Sequence, residues 1–335
     1  MAQTIIVLGG GNALGAYLAG AYETFAEAGI RPDRIIGASA GALTGAIIAG
    51  NKPADRLPRL REFWAEAAMK TGMVAPANEK LRQYYNGWHA LWSVVAGRPT
   101  IFRHRWPGLW AALPGTPDDV AIFDHGPLGA TLERLVDFDL LNDGPIRLGV
   151  CSIDMETGEE VCFDTADGAI RLEHLLASTA FTPGFPPVEI EGRLFCDPGY
   201  VNNTPVDRAL LEPPAVETLC IAVELFSLRA PKPRSLDAAL ERSQDLIFAS
   251  QTRRSIEALQ REFALRLQLD PSLPPVTLAH MAYQAAGHEL AAKTIDFSPS
   301  SILDRWTSGA RDAAATLDAL RASPATPGLT YIPAT

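Results

Sequence analysis

Several features by which protein classes are recognised are absent from the sequence. Its four cysteines are widely spaced and form no CxxC pair, so neither a zinc site nor a redox motif is indicated. Only 29 basic residues stand against 39 acidic ones, which gives a net charge of −10. Because a nucleic-acid binder needs a basic face for phosphates, this balance argues against nucleic acid as a partner. It also disfavours simple electrostatic docking on anionic membranes, and we expect reduced thiols in the cytoplasm.

Long apolar runs are missing as well. No charged side chain occurs from Met1 to Tyr22, but glycines interrupt this segment. Its continuous apolar run, Ile5–Leu8, is too short for a membrane-spanning helix. The first basic residue is Arg31, whereas a secretory signal has positive charge before its apolar core. We therefore expect neither a signal sequence nor a membrane anchor in this segment.

The composition is that of a soluble globular chain. Of the 335 residues, 47% are apolar and 20% are charged, which is ordinary for a protein with a sizeable core. These values exclude a mostly disordered protein and a coiled coil. The length is sufficient for one large α/β domain or two small ones.

The first 50 residues predict two strand–helix units. Thr4–Leu8 is a short β-branched apolar run of the kind that forms a buried parallel strand. A glycine loop and an alanine-rich helix follow, and a second strand begins at Arg34. A small-residue turn, Gly37–Gly41, then leads into another alanine-rich helix that ends near Gly50. Successive units of this kind predict a mainly parallel central sheet with helices on both faces, a three-layer α/β/α fold.

The rest of the chain divides into three parts by composition. Residues from about 53 to 123 hold five of the six tryptophans, and we interpret them as a helical, aromatic-rich insertion in a domain that spans 1–230. A Pro-Lys-Pro joint then opens a mainly helical C-terminal extension over 231–322, and a proline-rich tail at 323–335 is expected to be mobile. Strands are predicted at Ile146–Ile153, Glu159–Phe163, Val188–Ile190, Arg193–Cys196, Thr218–Glu224 and Val276–Met281.

The strongest local signal for chemistry is Gly37-Ala38-Ser39-Ala40-Gly41. A serine on a tight turn between strand and helix adopts a strained backbone, so its neighbours have to be small. Its hydroxyl then stands at a helix N-terminus, where N–H groups and the helix dipole favour an alkoxide or oxyanion. The alternative is that these small residues only let the helix pack closely on the sheet.

A second signal is the loop from Gly9 to Gly15, which follows the first strand. Its backbone N–H groups can form an oxyanion hole across from Ser39, because adjacent parallel strands bring both loops to one sheet edge. A phosphate cradle of the dinucleotide-binding type is the other functional interpretation. The dinucleotide-binding fingerprint requires an acidic residue at the end of the second strand. This chain has small residues there, so the dinucleotide-binding interpretation is strongly disfavoured. A glycine turn without a ligand stays as an alternative.

A nucleophilic serine needs a base, and Asp197 is the first candidate. It follows a predicted strand and precedes a Pro-Gly turn, so a partly desolvated carboxylate there could accept the serine proton. An aspartate that only hydrogen-bonds its own turn is the alternative. His280 and His288 come later in the chain and leave open a Ser-Asp-His order. His280 falls in a predicted strand and His288 in a predicted helical stretch, which favours packing roles for both.

Together these segments resemble the patatin-like phospholipases. Gly10–Gly15 resembles the family's glycine loop, Gly37–Gly41 its nucleophile elbow, and Asp197-Pro198-Gly199 its aspartate motif. The segments Ala177–Ala180 and Phe185–Val188 also look like the family's stretch before the aspartate. The resemblance covers about residues 4–225, and the ordered combination is far more specific than any one motif.

The resemblance implies a Ser-Asp dyad without histidine that cleaves fatty-acyl esters of lipids. Ser39 would be the nucleophile and Asp197 the general base and acid, with an acyl-serine intermediate. Backbone N–H groups of Gly10, Gly11 and Asn12 would form the oxyanion hole. No metal and no organic cofactor is implied, and the partners are a lipid or fatty-acyl ester and, transiently, a membrane surface. The aromatic insertion then suits either an acyl-pocket wall or a lipid-contacting surface.

Three positions depart from the family pattern. Asn12 aligns with a loop glycine, and Leu14 stands where a cation is frequent. Pro198 replaces the glycine after the aspartate, which removes an N–H and fixes φ. Two rival functions follow: acyl transfer from the same acyl-serine to an alcohol or thiol, and a catalytically silent lipid-binding or regulatory protein.

Overall fold

The computed structural model describes residues 2–117, 119–212 and 214–334. These residues form strands and helices that alternate through most of the chain. The strands, in chain order, are β1 (Gln3–Leu8), β2 (Arg34–Ala38), β3 (Arg103–His104), β4 (Phe123–Asp124), β5 (Arg147–Asp154), β6 (Glu160–Asp164), β7 (Val188–Ile190), β8 (Arg193–Cys196), β9 (Thr218–Glu224), β10 (Pro275–Ala282) and β11 (Gly328–Ile332).

The helices carry most of the remaining residues, and short 3-10 turns connect several of them. The helices are α1 (Ala16–Glu27), α2 (Ala40–Ala49), α3 (Arg56–Ala67), α4 (Glu79–Ala96), α5 (Gly126–Leu135), α6 (Phe138–Asp143), α7 (Leu172–Ser178), α8 (Val206–Leu210), α9 (Leu236–Leu269) and α10 (Pro299–Ala322).

The central sheet is mainly parallel. Its order runs β11-β10-β9-β1-β2-β5, with parallel pairing between all of these neighbours. β6 and β8 pair with β5 in the antiparallel sense, and β7 pairs antiparallel with β8. Leu8, at the end of β1, stands level with Gly37 of β2 and Val223 of β9. The loops that follow these three strands therefore meet at one edge of the sheet.

The sheet is buried on both faces, which gives the predicted α/β/α layering. Along β1, Ile6 and Leu8 pack into a core with α1, α2 and α10. The alternate residues Ile5 and Val7 pack on the other face against α8 and α9. Because successive side chains of a strand point to opposite faces, β1 contributes to two separate cores and has no polar face.

Two parts of the chain differ from the sequence-based prediction. The tail after Ser323 was expected to be mobile, but Gly328–Ile332 forms β11 and pairs in parallel with β10, so backbone hydrogen bonding fixes it at the edge of the sheet. β10 lies at the strand predicted for Val276–Met281, so β10 and β11 together join the mainly helical extension to the sheet. His288 lies in a turn after β10 rather than in a helix.

Candidate active site

Ser39 occupies a strained turn between β2 and α2. Its backbone has φ 52 and ψ −121, a conformation that is rare for residues other than glycine. The flanking glycines are required by packing. A Cβ on Gly41 would lie 2.0 Å from the carbonyl oxygen of Leu8, and a Cβ on Gly37 would lie 2.5 Å from the backbone nitrogen of Ala42. The close approach of α2 to β1 and β2 thus holds the serine turn in place.

Ser178 fixes the same turn from the side. Its hydroxyl accepts a hydrogen bond from the backbone N–H of Ser39 at 2.9 Å and donates one to the carbonyl of Cys151 at 2.7 Å. Ser178 is fully buried at the end of α7. Ser178 belongs to the segment Ala177–Ala180, which resembles the family's stretch before the aspartate, but the sequence analysis assigned it no role. Its position near the end of a predicted helix was the one feature of the sequence that could have drawn attention to it.

Two strands of opposite direction place the serine and Asp197 side by side. β2 ends with Ala38 opposite Cys151 of β5, and β8 ends with Cys196 opposite Ile153 of β5. Because β6 occupies the other edge of β5, β2 and β8 share one edge and approach each other end to end. The next residue of each strand, the serine in one case and the aspartate in the other, therefore reaches the same level of the sheet.

The Asp197 carboxyl is buried beside the serine. It is 3% exposed, and Oδ1 accepts from the N–H of Gly199 at 2.8 Å. Burial raises its pKa from 3.8 to about 6, and the interactions with the Ser39 side chain and the Gly199 N–H oppose only part of this rise. A carboxylate with this pKa is ionised at neutral pH and is a stronger base than an ordinary aspartate.

The proline after the aspartate fits this geometry. Pro198 opens a 3-10 turn over Pro198–Tyr200, a position where its fixed φ is suitable and its missing N–H is not needed. The N–H of the following Gly199 makes the bond to the carboxylate instead. The substitution of the family glycine therefore leaves Asp197 with a backbone donor.

The glycine loop offers two backbone donors rather than three. The N–H of Gly10 donates to the carbonyl of Asn203 at 3.0 Å, so the prediction of Gly10 as an oxyanion donor is wrong for this conformation. In the described part of the chain, the N–H groups of Gly11 and Asn12 have no acceptor. Asn12 has φ 52, a left-handed conformation that asparagine tolerates better than most residues. Leu14 is fully buried in the core.

Ser39 and Asp197 both line an apolar pocket of about 80 Å³. Among its walls are Trp64, which belongs to the aromatic insertion interpreted above as an acyl-pocket wall or a lipid-contacting surface, and His125, which the sequence analysis did not single out. His125 is 8% exposed, stacks on Phe185 with ring centroids 5.8 Å apart, and has no partner for Nδ1; burial lowers its pKa. No spacing in the sequence connects these residues to the motifs. The lining residues are Asn12, Ser39, Ala40, Leu43, Phe63, Trp64, Ile101, His125, Leu128, Thr179, Phe181, Phe185, Asp197 and Phe297.

The other two candidate histidines lie outside the pocket. Nε2 of His280 is 2.9 Å from the carboxylate of Glu224, and Nδ1 is 3.1 Å from the hydroxyl of Tyr331. Nε2 of His288 is 3.4 Å from Asp304. Both rings are engaged elsewhere, so a Ser-Asp-His arrangement is not formed by either of them.

Neither a metal nor a dinucleotide has an evident set of ligands here. Within the described ranges, no three side chains of His, Cys, Asp or Glu are arranged to hold a metal ion. The glycine loop is packed from the side, since a Cβ on Gly10 would lie 2.6 Å from Oδ1 of Asn203. The site combines a hydroxyl, a basic carboxylate and free N–H donors in an apolar pocket. These are the groups that acyl-transfer chemistry uses.

Comparison with known proteins agrees with the motifs. The family model described as patatin-like phospholipase matches residues 6–210, and a model described as patatin phospholipase matches residues 257–325. No curated protein sequence matches the chain.

Similar solved structures include VipD from Legionella pneumophila, ExoU of Pseudomonas aeruginosa in complex with SpcU, and human GIVD cytosolic phospholipase A2. VipD is 13% identical, with a TM-score of 0.46 over 95% of this chain and 67% of that one. The human enzyme is 14% identical, with a TM-score of 0.44 over 96% of this chain and 60% of its own. ExoU is 14% identical, with a TM-score of 0.39 over 96% of this chain and 52% of its own.

Proposed function

Because the chain belongs to the patatin-like phospholipase family, we propose that it is a serine acyl hydrolase that cleaves fatty-acyl esters of lipids. The observation that carries the proposal is that the side chain of Ser39 and the buried carboxyl of Asp197 line the same apolar pocket and interact there. Each of the two residues follows a different strand of the sheet.

The proposed reaction proceeds through an acyl-serine intermediate. Oγ of Ser39 attacks the ester carbonyl while its proton passes to the carboxylate of Asp197. The oxyanion of the tetrahedral intermediate accepts hydrogen bonds from the N–H groups of Gly11 and Asn12. Collapse breaks the carbon–oxygen bond of the ester, and Asp197 returns the proton to the leaving alcohol. Water, deprotonated by the same carboxylate, then attacks the acyl carbonyl. Collapse of this second intermediate breaks the bond between the acyl carbon and Oγ of Ser39, Asp197 returns the proton to Oγ, and a fatty acid leaves.

The two backbone donors supply the main electrostatic stabilisation in this scheme. A single oxyanion donor contributes about 3–4 kcal/mol to the transition state in comparable sites. Since Gly11 and Asn12 open the 3-10 turn that precedes α1, their N–H groups are positioned by the backbone before the substrate arrives.

The amphipathic pattern of α4 is the reverse of that of an ordinary surface helix, and this supports contact with a membrane surface. The buried side of α4 is largely polar, with Asn86, His89 and Ser93, whereas its exposed side is apolar. We define the α4 face as Tyr84, Trp88, Leu91, Trp92 and Val95, which are 46–79% exposed. A helix in water normally has the opposite arrangement. Exposed tryptophan is typical of membrane interfaces, and the net charge of −10 favours zwitterionic over anionic lipid.

This contact would be peripheral. None of the helices in residues 2–117, 119–212 and 214–334 has the length and apolar character that crossing a bilayer requires. α4 ends at Ala96, and the chain then enters the segment in which Ile101 lines the pocket. A lipid held at the α4 face would therefore lie on the part of the chain that forms the pocket wall.

A fluorophosphonate probe tests the enzymatic proposal. We expect covalent labelling of the folded protein that disappears in Ser39→Ala and persists in Ser243→Ala, a control at an exposed serine of α9. Absence of labelling in well-folded protein would contradict the proposal and favour a silent lipid-binding protein. Product analysis in water with and without an added alcohol then separates the reactions: free fatty acid indicates hydrolysis, and a new ester indicates acyl transfer.

A further inference from the structure

One side chain separates the catalytic pocket from a second apolar space. Beyond Trp64 lies an open groove of about 870 Å³ between the end of α3 and the start of α10. Among the described residues, Trp64 alone lines both spaces. The groove walls include the apolar side chains of Ala68, Met69 and Leu303, and the cationic side chains of Arg61 and Lys70 also line it.

The pocket is small for a lipid acyl chain. A cavity of roughly 150 Å³ is filled by one benzene ring, so a pocket of about 80 Å³ accepts only a few carbons. Interiors are packed too tightly to stretch around a longer chain without displacing a side chain. A long acyl chain therefore needs additional space, and the groove behind Trp64 offers it.

The indole is held by packing alone. Trp64 is 4% exposed, and its Nε1–H has no hydrogen-bond partner in the described residues. Its six-membered ring lies against the backbone of Gly15, where an added Cβ would be 2.9 Å from Cζ2. On the other side its ring meets Phe63 edge to face, with centroids 5.2 Å apart. Truncating the side chain removes no polar partner and opens a direct path between pocket and groove.

We infer that Trp64 sets the length of the acyl chain that the site accepts. This inference rests on the proposed acyl hydrolase function. With the indole in place the site takes short acyl groups, because the chain meets the indole after a few carbons. With a smaller residue at position 64, the additional methylene groups enter the groove and are buried against its apolar walls.

The test compares short and long soluble esters. We would measure kcat/KM of p-nitrophenyl butyrate and decanoate, below their critical micelle concentrations, for the wild type and Trp64→Ala. Each additional methylene that becomes buried is expected to raise kcat/KM by about fourfold. The ratio of decanoate to butyrate should therefore rise by about tenfold or more in the variant, while the wild type prefers butyrate.

A second substitution locates the gained space. Leu303 is 64% exposed in the groove, so Leu303→Glu is not expected to affect folding. In the Trp64→Ala background it should cancel most of the gain on decanoate, because the acyl chain would then meet a charge. The same change alone should leave the ester ratio of the wild type unchanged. Trp110→Ala, at a tryptophan that is 59% exposed, is the matched control for loss of an indole.

Several outcomes would overturn the inference. One is a wild type that hydrolyses both esters equally; another is a stable Trp64→Ala variant with an unchanged ratio. If Trp64→Ala does not fold, Trp64→Leu and Trp64→Phe should give graded shifts in the same direction. In the wild type itself, labelling rates with alkyl fluorophosphonates of increasing length should fall beyond a few carbons. Absence of labelling and turnover at every chain length would instead contradict the proposed hydrolase function.

Discussion

Among individual side chains, Asp197 combines the proposed role of general base with a cost in stability. Its pKa is raised from 3.8 to about 6 by burial. The folded protein therefore binds the proton more tightly than the unfolded chain does, and ionisation opposes folding. The contribution of Asp197 to stability is expected to fall as the pH rises from about 4 to 6, by about 3 kcal/mol in all. The proposed mechanism requires this charge, because a neutral side chain cannot accept the serine proton.

We predict that Asp197→Asn loses ester turnover without losing stability. Asparagine has the same shape but cannot act as a base, so kcat should fall by about 10²–10⁴-fold. At pH 7 the Tm should equal or exceed that of the wild type, because a buried charge is removed. In the wild type, kcat/KM should decrease as the pH falls through about 6, since only the ionised carboxylate accepts a proton. Full turnover in the folded variant would assign the base to another group, with His125 the nearest histidine candidate in the pocket.

At the scale of strands and helices, the sequence predicts the elements that end at clear turn residues and misses those that depend on pairing with a distant strand. The hairpin β7–β8 and strand β9 lie at the predicted residues, because their apolar runs end at clear turn residues such as Glu191-Gly192. β11 was missed because three prolines and polar residues surround it, and its pairing depends on β10, which is distant in sequence. The same limit applies to the site. Ser39 and Asp197 belong to local motifs, whereas Trp64 and His125 reach the pocket only through tertiary packing.

The contact between α2 and β1 gives a prediction about the element that carries the nucleophile. Gly41→Ala should strongly destabilise the fold, because the new Cβ would lie 2.0 Å from the carbonyl oxygen of Leu8 and backbone cannot move aside locally. Overpacking of this kind costs about 1–3 kcal/mol or more. Gly72→Ala is the matched control, since no atom lies within 4 Å of an added Cβ there. The measurement is the urea midpoint of each variant, and equal midpoints for the two would contradict the prediction.

Seen as one body, the molecule uses its C-terminal half to support the N-terminal site. Arg305 of α10 is fully buried and donates through Nη1 to the carbonyl of Ala13 in the glycine-loop segment, at 3.2 Å. The same guanidinium bonds to Glu289 at 2.8 and 2.9 Å and to the carbonyl of Asp296 at 2.8 Å. These buried charges are therefore paired, and α10 is fixed against the loop that carries the oxyanion donors.

The α4 face lies on the outer surface of the molecule, and its proposed contact with a membrane can be tested there. We predict that Trp88→Ser combined with Trp92→Ser reduces binding to zwitterionic phosphatidylcholine vesicles in a flotation assay by about tenfold or more, since two interfacial tryptophans are lost. Turnover of a soluble short-chain ester should be unchanged, because neither residue lines the pocket. Leu269→Ser, at an exposed residue at the end of α9, is the control for loss of surface apolarity. Unchanged vesicle binding in the double variant would exclude the α4 face as the contact.

The end-to-end meeting of β2 and β8 also determines where the chain tolerates extra length. Both strands are positioned by hydrogen bonds to β5, so the turns between β5 and β8 do not determine how nucleophile and base are spaced. Gly158 and Gly192 stand at two such turns, and nothing lies within 4 Å of a Cβ built on either of them. A foreign peptide, such as an epitope or a headgroup-recognising loop, can be grafted at these tips without altering the reacting pair.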